Sequence, residues 1–184
     1  MRVLVDAEAV SRGLRRVAVE ILERHRGTSG LMLVGVRRGG VTIARAIQDS
    51  IRELEGQELP MGSVDITFYR DDAATALPNP RIGPSEMPGP VDEARVILVD
   101  DVLYTGRTIR AAIDAIMDYG RPSCIELAVL VDRGGRELPI EANYVVRRVD
   151  VGAGERVDVV SDESGLVACV QPLAAPTIPP TDHV

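Results

Sequence analysis

Three unbroken apolar stretches constrain this chain most: LMLVGV (31–36), VILV (96–99) and the apolar half of CIELAVLVD (124–132). A strand with one face in water alternates apolar and polar residues, so a run without polar interruptions must be covered on both faces. All three are also too short for a helix. The first two lead into helical patterns. After RRGG, Ile43, Ile47, Ile51 and Leu54 recur on one helical face; from about Thr108, Ile109, Ile113 and Ile116 do the same until Gly120 and Pro122. An earlier helix precedes the first strand, with Val10, Leu14, Val17, Ile21 and Leu22 on one face, Asp6 as cap and Gly27 as terminator. Alternation of this kind predicts an α/β fold, a twisted and mostly parallel central sheet flanked by helices on both faces.

Around this frame, GSVDITFYR (62–70) reads as a half-exposed strand, because Val64, Ile66 and Phe68 alternate with polar neighbours. NYVVRRVDV (143–151) reads as a further strand, and shorter ones are expected near Val157 to Val160 and Leu166 to Val170. These late strands and the N-terminal helix are expected to form a small cap. From Asp71 to Ala94 the periodicity disappears, and five of the twelve prolines fall between Pro78 and Pro90, which marks a lid or insertion. One domain over 1–172 is therefore expected, with a flexible lid at about 71–94 and a loose tail over 173–184.

Composition excludes several functions. No apolar run nears the roughly 20 residues that a membrane span requires, and the first ten residues lack a signal-peptide core, so a cytoplasmic location is expected. Cys124 and Cys169 each lie in an apolar strand, as small buried residues do, and no CxxC or zinc spacing occurs. His25, near the end of a polar helix, and His183, next to last, look like neither ligands nor bases. The net charge of -7 opposes nonspecific attraction to nucleic acid. All 21 basic residues are arginine, so a bound phosphate must be met by guanidinium groups, backbone N–H groups or a metal ion.

One stretch carries chemistry. In VILVDDVLYTGRT (96–108) a buried strand runs into two adjacent carboxylates, Asp100 and Asp101, and then into a hydroxyl-rich turn. Two like charges side by side repel and desolvate poorly, so a turn from strand to helix does not need both. Ligands of open α/β sheets sit at the carboxyl ends of the strands, where both this stretch and GVRRGG fall. Thr105 and Thr108 hydroxyls, close approach at Gly106 and the N–H groups of a helix start form a cradle for one phosphate. An acid pair beside a phosphate cradle suits a sugar phosphate, since carboxylates accept hydrogen bonds from ribose hydroxyls. The stretch is not a Walker loop, because GxxxxGK[ST] is absent.

VDDVLYTGRT (99–108) resembles the phosphoribosyl diphosphate motif of type I phosphoribosyltransferases. Together with DITFYRDD (65–72), GRPSCIELAVLVDRGGRELPI (120–140) and GVRRGG (35–40), in that order, it is similar to the PyrR branch of pyrimidine operon regulators and uracil phosphoribosyltransferases. The similarity covers roughly the first 150 residues. It implies the type I fold with a cap, synthesis of UMP and diphosphate from uracil and 5-phosphoribosyl 1-diphosphate, Mg²⁺ as cofactor, and a homodimer or higher assembly.

By the same resemblance, Asp100 and Asp101 would meet the ribose hydroxyls and the metal shell, through ribose and diphosphate oxygens. Leu103, Tyr104, Thr105, Gly106, Arg107 and Thr108 would take the 5'-phosphate, with Val102 beside them in the substrate site, and Arg37, Arg38 and Gly39 the diphosphate. Asp132 and Arg133 would border the base, while Tyr69, Arg70, Asp71 and Asp72 would help to close the site. The usual Thr-Arg-Gly of the diphosphate loop here reads Arg-Gly-Gly, which puts the guanidinium one residue early. No general base is assigned, since the position that bears an acid in related purine enzymes is Tyr104.

A second reading is an RNA-binding attenuator that senses UMP, and a third a transferase for another base. Against the second, the RNA-binding members carry, by the resemblance, a His where this chain has Val19, a Thr where it has Arg15, a Lys where it has Gly152 or Ala153, and a His where it has Gly135. Arg12, Arg15 and Arg16 at helical spacing could form a substitute patch on the first helix.

Overall fold

Leu31–Val36 is buried at every residue, as its uninterrupted apolar sequence requires. In the computed structural model, which describes residues 1–67, 69 and 85–173, this segment is strand β2 in the interior of a parallel sheet. The elements run β1 (Arg2–Val5), α1 (Ala7–His25), β2, α2 (Gly39–Glu55), β3 (Met61–Val64), β4 (Arg95–Leu103), α3 (Arg107–Met117), β5 (Cys124–Asp132), β6 (Tyr144–Arg148), β7 (Glu155–Asp162) and β8 (Gly165–Pro172). Five strands form one sheet in the order β3-β2-β4-β5-β6, every pairing parallel. Among the described residues, no helix is long and apolar enough to cross a membrane.

Alternate strand residues fill two cores. Leu33, Ile97 and Leu130 pack with Leu14 and Ile21 of α1 and Ile43 and Ile47 of α2 on one face. Val34, Leu98 and Val129 pack with Ile109 and Ile116 of α3 on the other. Each fully buried Ile or Leu contributes about 1.5–3 kcal/mol, so these layers supply most of what holds the strand ends in place. Gly13 lets α1 approach β6 closely, because a Cβ there would overlap the Val146 side chain.

The cap differs from expectation. It is a three-stranded antiparallel sheet, order β1-β8-β7, in which Arg2 pairs with Val170 and Val3 with Cys169. The late strands belong to it as expected, and the N-terminal strand joins them at one edge. Val10, Leu14, Val17 and Ile21 of α1 lie in a core shared by the two sheets, with Leu33 and Ile97 of the parallel sheet and Val5, Val157 and Ala168 of the cap.

Local chemistry accounts for the other differences. Asp6 caps α1 as expected, accepting from Ala9 N at 2.8 Å. Its far end, however, turns at Arg26, which takes the left-handed conformation (φ 56°), while Gly27 N donates to Leu22 O. Leu54, expected on the buried face of α2, is exposed. The strand expected over 62–70 is Met61–Val64. It stops there because Asp65 Oδ1 accepts from both Thr67 N and Thr67 Oγ1, an aspartate turn that competes with the ladder. Phe68 lies outside the described residues.

Of the patternless stretch expected up to Ala94, residues 85–94 are described, and they pack on the sheet. Glu86 exchanges both backbone hydrogen bonds with Ser63, and Val91 is buried. His25 is not a bystander either. Its side chain is 7% exposed and its Nε2 lies 2.9 Å from Glu126 Oε2. Arg95 donates to its Nδ1, and Tyr144 donates to the same Glu126 oxygen. Burial opposes the charge on Glu126, but the bonds from Tyr144 and His25 and the charge of Arg24 outweigh it, leaving this carboxyl below its ordinary value. The node ties the end of α1 to β4, β5 and β6, at the end of the sheet opposite the acids.

Candidate active site

Parallel register sets Gly35 of β2 beside Val99 of β4, so the loop after β2 and the acid pair after Val99 emerge side by side. Arg37 N continues the pairing onto Val64 O, and α2 begins at Gly39. The approach is close. A Cβ on Gly40 would overlap the Val99 carbonyl oxygen, and one on Gly39 would overlap the Asp101 carboxylate. The two glycines thus let the start of α2 rest directly on the acids.

The acids themselves differ. Asp100 is 5% exposed and Asp101 is half-buried. Asp101 N donates to Asp100 Oδ1 and Val102 N to Asp101 Oδ1, at 2.9 and 2.8 Å. Burial pushes the Asp100 carboxyl well above its ordinary value, and the neighbouring Asp101 charge pushes it the same way, against the pull of the Asp101 N–H. No arginine forms an ion pair with either acid among the described residues. A buried carboxylate without a cation is costly, so the pair suits a ligand that brings hydroxyl donors or a divalent ion.

The two flanking helices begin alike. Neither α2 nor α3 has a side-chain cap or an acid in its first turn, whereas α1 is capped by Asp6 and carries Glu8. Apart from Arg107 N, which donates to Thr105 Oγ1 at 3.3 Å, their first N–H groups face anions on both sides of the acids. At α3 the cap position is Gly106 at φ 91°, which an L side chain would strain.

The phosphate turn has a back wall that sequence reasoning missed. Leu103 O accepts from Arg133 N, Tyr104 O from Arg136, and Thr105 O from the N–H groups of Glu137 and Leu138. Arg107 is ion-paired with Glu137, with Nε to Oε2 at 2.6 Å. Three successive carbonyls are thus held by the segment after β5, while Thr105 N, Gly106 N and Thr108 N have no acceptor among the described residues. The carbonyls turn back and the amides remain for a ligand. The sequence signal was REL at 136–138, but its targets are backbone oxygens, which no residue type reveals.

Other expected residues are distributed as follows. Arg38 is exposed and has no partner among the described residues. Arg37 turns aside, its Nε donating to Ser63 Oγ at 3.0 Å and its Nη2 lying 3.3 Å from Glu86. The Arg37–Arg38 peptide is cis. Asp132 is enclosed, accepting from Gly134 N and pairing with Arg136 at 2.7 Å. Arg133 stacks on Tyr104 and reaches the cap.

Tyr69 is not brought to the acids. Its hydroxyl donates to Asp118, just beyond the last turn of α3, and its carbonyl accepts from Arg110. Eleven helical residues, or about 16 Å, separate that end from the phosphate turn. Arg70, Asp71 and Asp72 lie outside the described residues. A cleft of about 600 Å³ is lined by Asp132, Arg136, Ile140 and Arg148. It adjoins the strand end at Asp132 and contains no residue of the acid pair, the phosphate turn or the diphosphate loop.

Residues 3–161 match the phosphoribosyl transferase domain. The chain belongs to the phosphoribosyltransferase family. It is 54% identical over 160 residues to the bifunctional protein PyrR of Geobacter sulfurreducens, covering 87% of this chain and 90% of that one. It is 51% identical over 156 residues to the PyrR of Pelotomaculum thermopropionicum, covering 85% and 86%. These relatives place this phosphoribosyltransferase in the PyrR branch. Among solved structures, the hypoxanthine phosphoribosyltransferase of Trypanosoma cruzi superposes with a TM-score of 0.69 at 17% identity, over 94% of this chain and 98% of that one. A likeness at such low identity shows the shared fold, with the five-stranded parallel sheet at its centre.

Proposed function

We propose that this phosphoribosyltransferase makes UMP, joining uracil to 5-phosphoribosyl 1-diphosphate. The C–N bond forms at the anomeric carbon as the C–O bond to diphosphate breaks; uracil loses its N–H proton and diphosphate leaves with the bonding electrons. The observation that carries this is the acid pair, buried at Asp100 and half-buried at Asp101 and without an ion pair among the described residues, lying between two helix starts whose cap residues make no side-chain bond. One start, behind Thr105 to Thr108, takes the 5'-phosphate; the other, behind Arg38 and Gly39, takes the diphosphate. Asp100 and Asp101 accept from the ribose hydroxyls between them, which fixes the ring while positive charge develops on it.

The oxygen-only donor set of the acid pair fits Mg²⁺, which when bound would neutralise charge on the diphosphate and the acids. Asp132 and Arg133 stand at the next strand end, where the base edge of the crevice would lie. A spectrophotometric assay with uracil, hypoxanthine, guanine and orotate tests the choice of base. Turnover with uracil is expected, and turnover only with a purine would overturn the pyrimidine assignment.

Arg38→Ala is expected to raise the KM for the sugar diphosphate about tenfold or more, as loss of one charge-assisted hydrogen bond of ~1.5–3 kcal/mol implies. Arg37→Ala should raise it less, because that side chain is spent on Ser63 and Glu86. Equal effects of the two would show that the loop does not present Arg38 alone.

The relatives' name, bifunctional, keeps a regulatory role alongside catalysis. The first helix offers RNA little free charge, since Arg12, Arg15 and Arg16 are each paired with a glutamate. Filter binding of a 5' leader RNA across a salt series, with and without UMP, tests this role. Retention that does not respond to UMP would remove it.

A further inference from the structure

We infer that Arg133 is a positioning residue that locks the cap to the phosphate turn, so that the grip on the sugar phosphate depends on how the cap is seated. The inference rests on the sugar-phosphate reading of the site and goes beyond it.

Arg133 is only 8% exposed and touches three separate parts of the molecule. Its backbone N donates to Leu103 O, the last residue of β4, at 3.1 Å. Its guanidinium carbon lies 4.1 Å from the centre of the Tyr104 ring, the first residue of the turn. Its terminal nitrogens donate to Glu155 O and Gly152 O, at 2.9 and 3.4 Å, in the turn that opens β7 of the cap. One planar group therefore holds a turn residue on its face and the cap on its edge. Each terminal nitrogen gives one N–H to a backbone oxygen of the cap. The Nε is buried and has no acceptor among the described residues.

Two further features belong to this arrangement. Gly135 adopts φ 74°, and a Cβ there would overlap the Tyr104 ring. Only glycine lets the ring settle between that backbone and the guanidinium without strain. Arg136 fixes the Tyr104 carbonyl at 2.9 Å, so the residue is held by its backbone and its ring together. Tyr104 thus cannot shift without disturbing either the back wall or the cap contact. Lysine could not substitute for Arg133, because an ammonium has no planar face to stack while its edge bonds two carbonyls.

A merely structural arginine would change stability alone, whereas a positioning residue changes how the turn binds its phosphate. The test is a double-mutant cycle on ribose 5-phosphate binding, measured by calorimetry with the full chain, with melting recorded for every variant. Arg133→Met keeps the aliphatic stem and removes the donors; Tyr104→Leu removes the ring. Each is expected to weaken ribose 5-phosphate about tenfold, and the double variant to be no weaker than the worse single one, because both break the same link. In steady-state assays KM for the sugar diphosphate should rise more than kcat falls. Arg133→Lys should not restore binding, and Gly135→Ala should reproduce the defect.

Multiplying effects in the double variant, unchanged binding in Arg133→Met, or losses that track only the unfolded fraction would each overturn the lock. Absence of ribose 5-phosphate binding in the unaltered protein would overturn the sugar-phosphate site and the lock with it. Binding without nucleotide synthesis on any base would overturn only the proposed reaction.

Discussion

The double substitution Asp100→Asn, Asp101→Asn is expected to reduce kcat/KM for nucleotide synthesis about a hundredfold to ten-thousandfold while making the ligand-free protein harder to melt at neutral pH. The loss follows from two charge-assisted hydrogen bonds of ~1.5–3 kcal/mol each. The gain in stability comes from Asp100. Burial, reinforced by Asp101, holds its carboxyl well above the 3.8 of an ordinary aspartate. Between 3.8 and that raised value the folded chain keeps a proton that the unfolded chain has released. Stability from this group is therefore full below pH 3.8, falls as pH rises through the folded value, and is gone above it. Asparagine has no proton to lose, and its Oδ1 can still accept from the backbone N–H of residue 101. The Tm of Asp100→Asn should accordingly match that of the unaltered protein near pH 3.5 and exceed it at pH 7.5, by about 2–4 °C for each kcal/mol of relief. A lower Tm at pH 7.5 would mean that the acid is not a desolvated charge.

An acid that weakens the fold in which it sits is a mark of function, and this one was legible in the sequence for a physical reason. Four apolar residues ending in Asp-Asp declare where a buried strand stops, and the one arginine in the turn after it, Arg107, is ion-paired with Glu137. The continuous strands were legible for the same reason: burial on both faces leaves its trace in every residue. Strand β1 left no such trace. It has four residues, of which only Val5 is buried, and its partner Val170 lies at the far end of the chain. Hence the cap was assigned its late strands and the helix beneath them, but not β1.

Where local chemistry competed with pattern, pattern misled. Val64, Ile66 and Phe68 alternate as a strand does, yet the Asp65 side chain captures Thr67 and ends the strand. His25 looked idle because its burial is created by β4, β5 and β6, far away in sequence. The back wall of the phosphate turn escaped for a different reason. Arg133 and Arg136 are spent on carbonyl oxygens, and every residue type offers those alike.

Substituting alanine at Gly39 and at Gly40 should separate binding from folding. At Gly39 the added methyl meets the Asp101 carboxylate, the end of a side chain that can rotate away. The fold should tolerate this, with Tm changed by no more than about 2–4 °C, the equivalent of ~1 kcal/mol. Affinity should not, because Asp101 is pushed from the place where a ribose hydroxyl would find it. A rise of tenfold or more in the KM for the sugar diphosphate is expected, on the order of the ~1.5–3 kcal/mol that one charge-assisted bond carries. At Gly40 the methyl meets the carbonyl oxygen of Val99, which is backbone within the central sheet. Neither strand nor helix can yield there without breaking their packing, so a loss of ~1–3 kcal/mol or more of stability is expected. Melting curves and steady-state kinetics on the two variants read these outcomes directly. If Gly39→Ala melts as early as Gly40→Ala, the close approach of α2 to the acids serves the packing of the sheet and not the seating of the substrate.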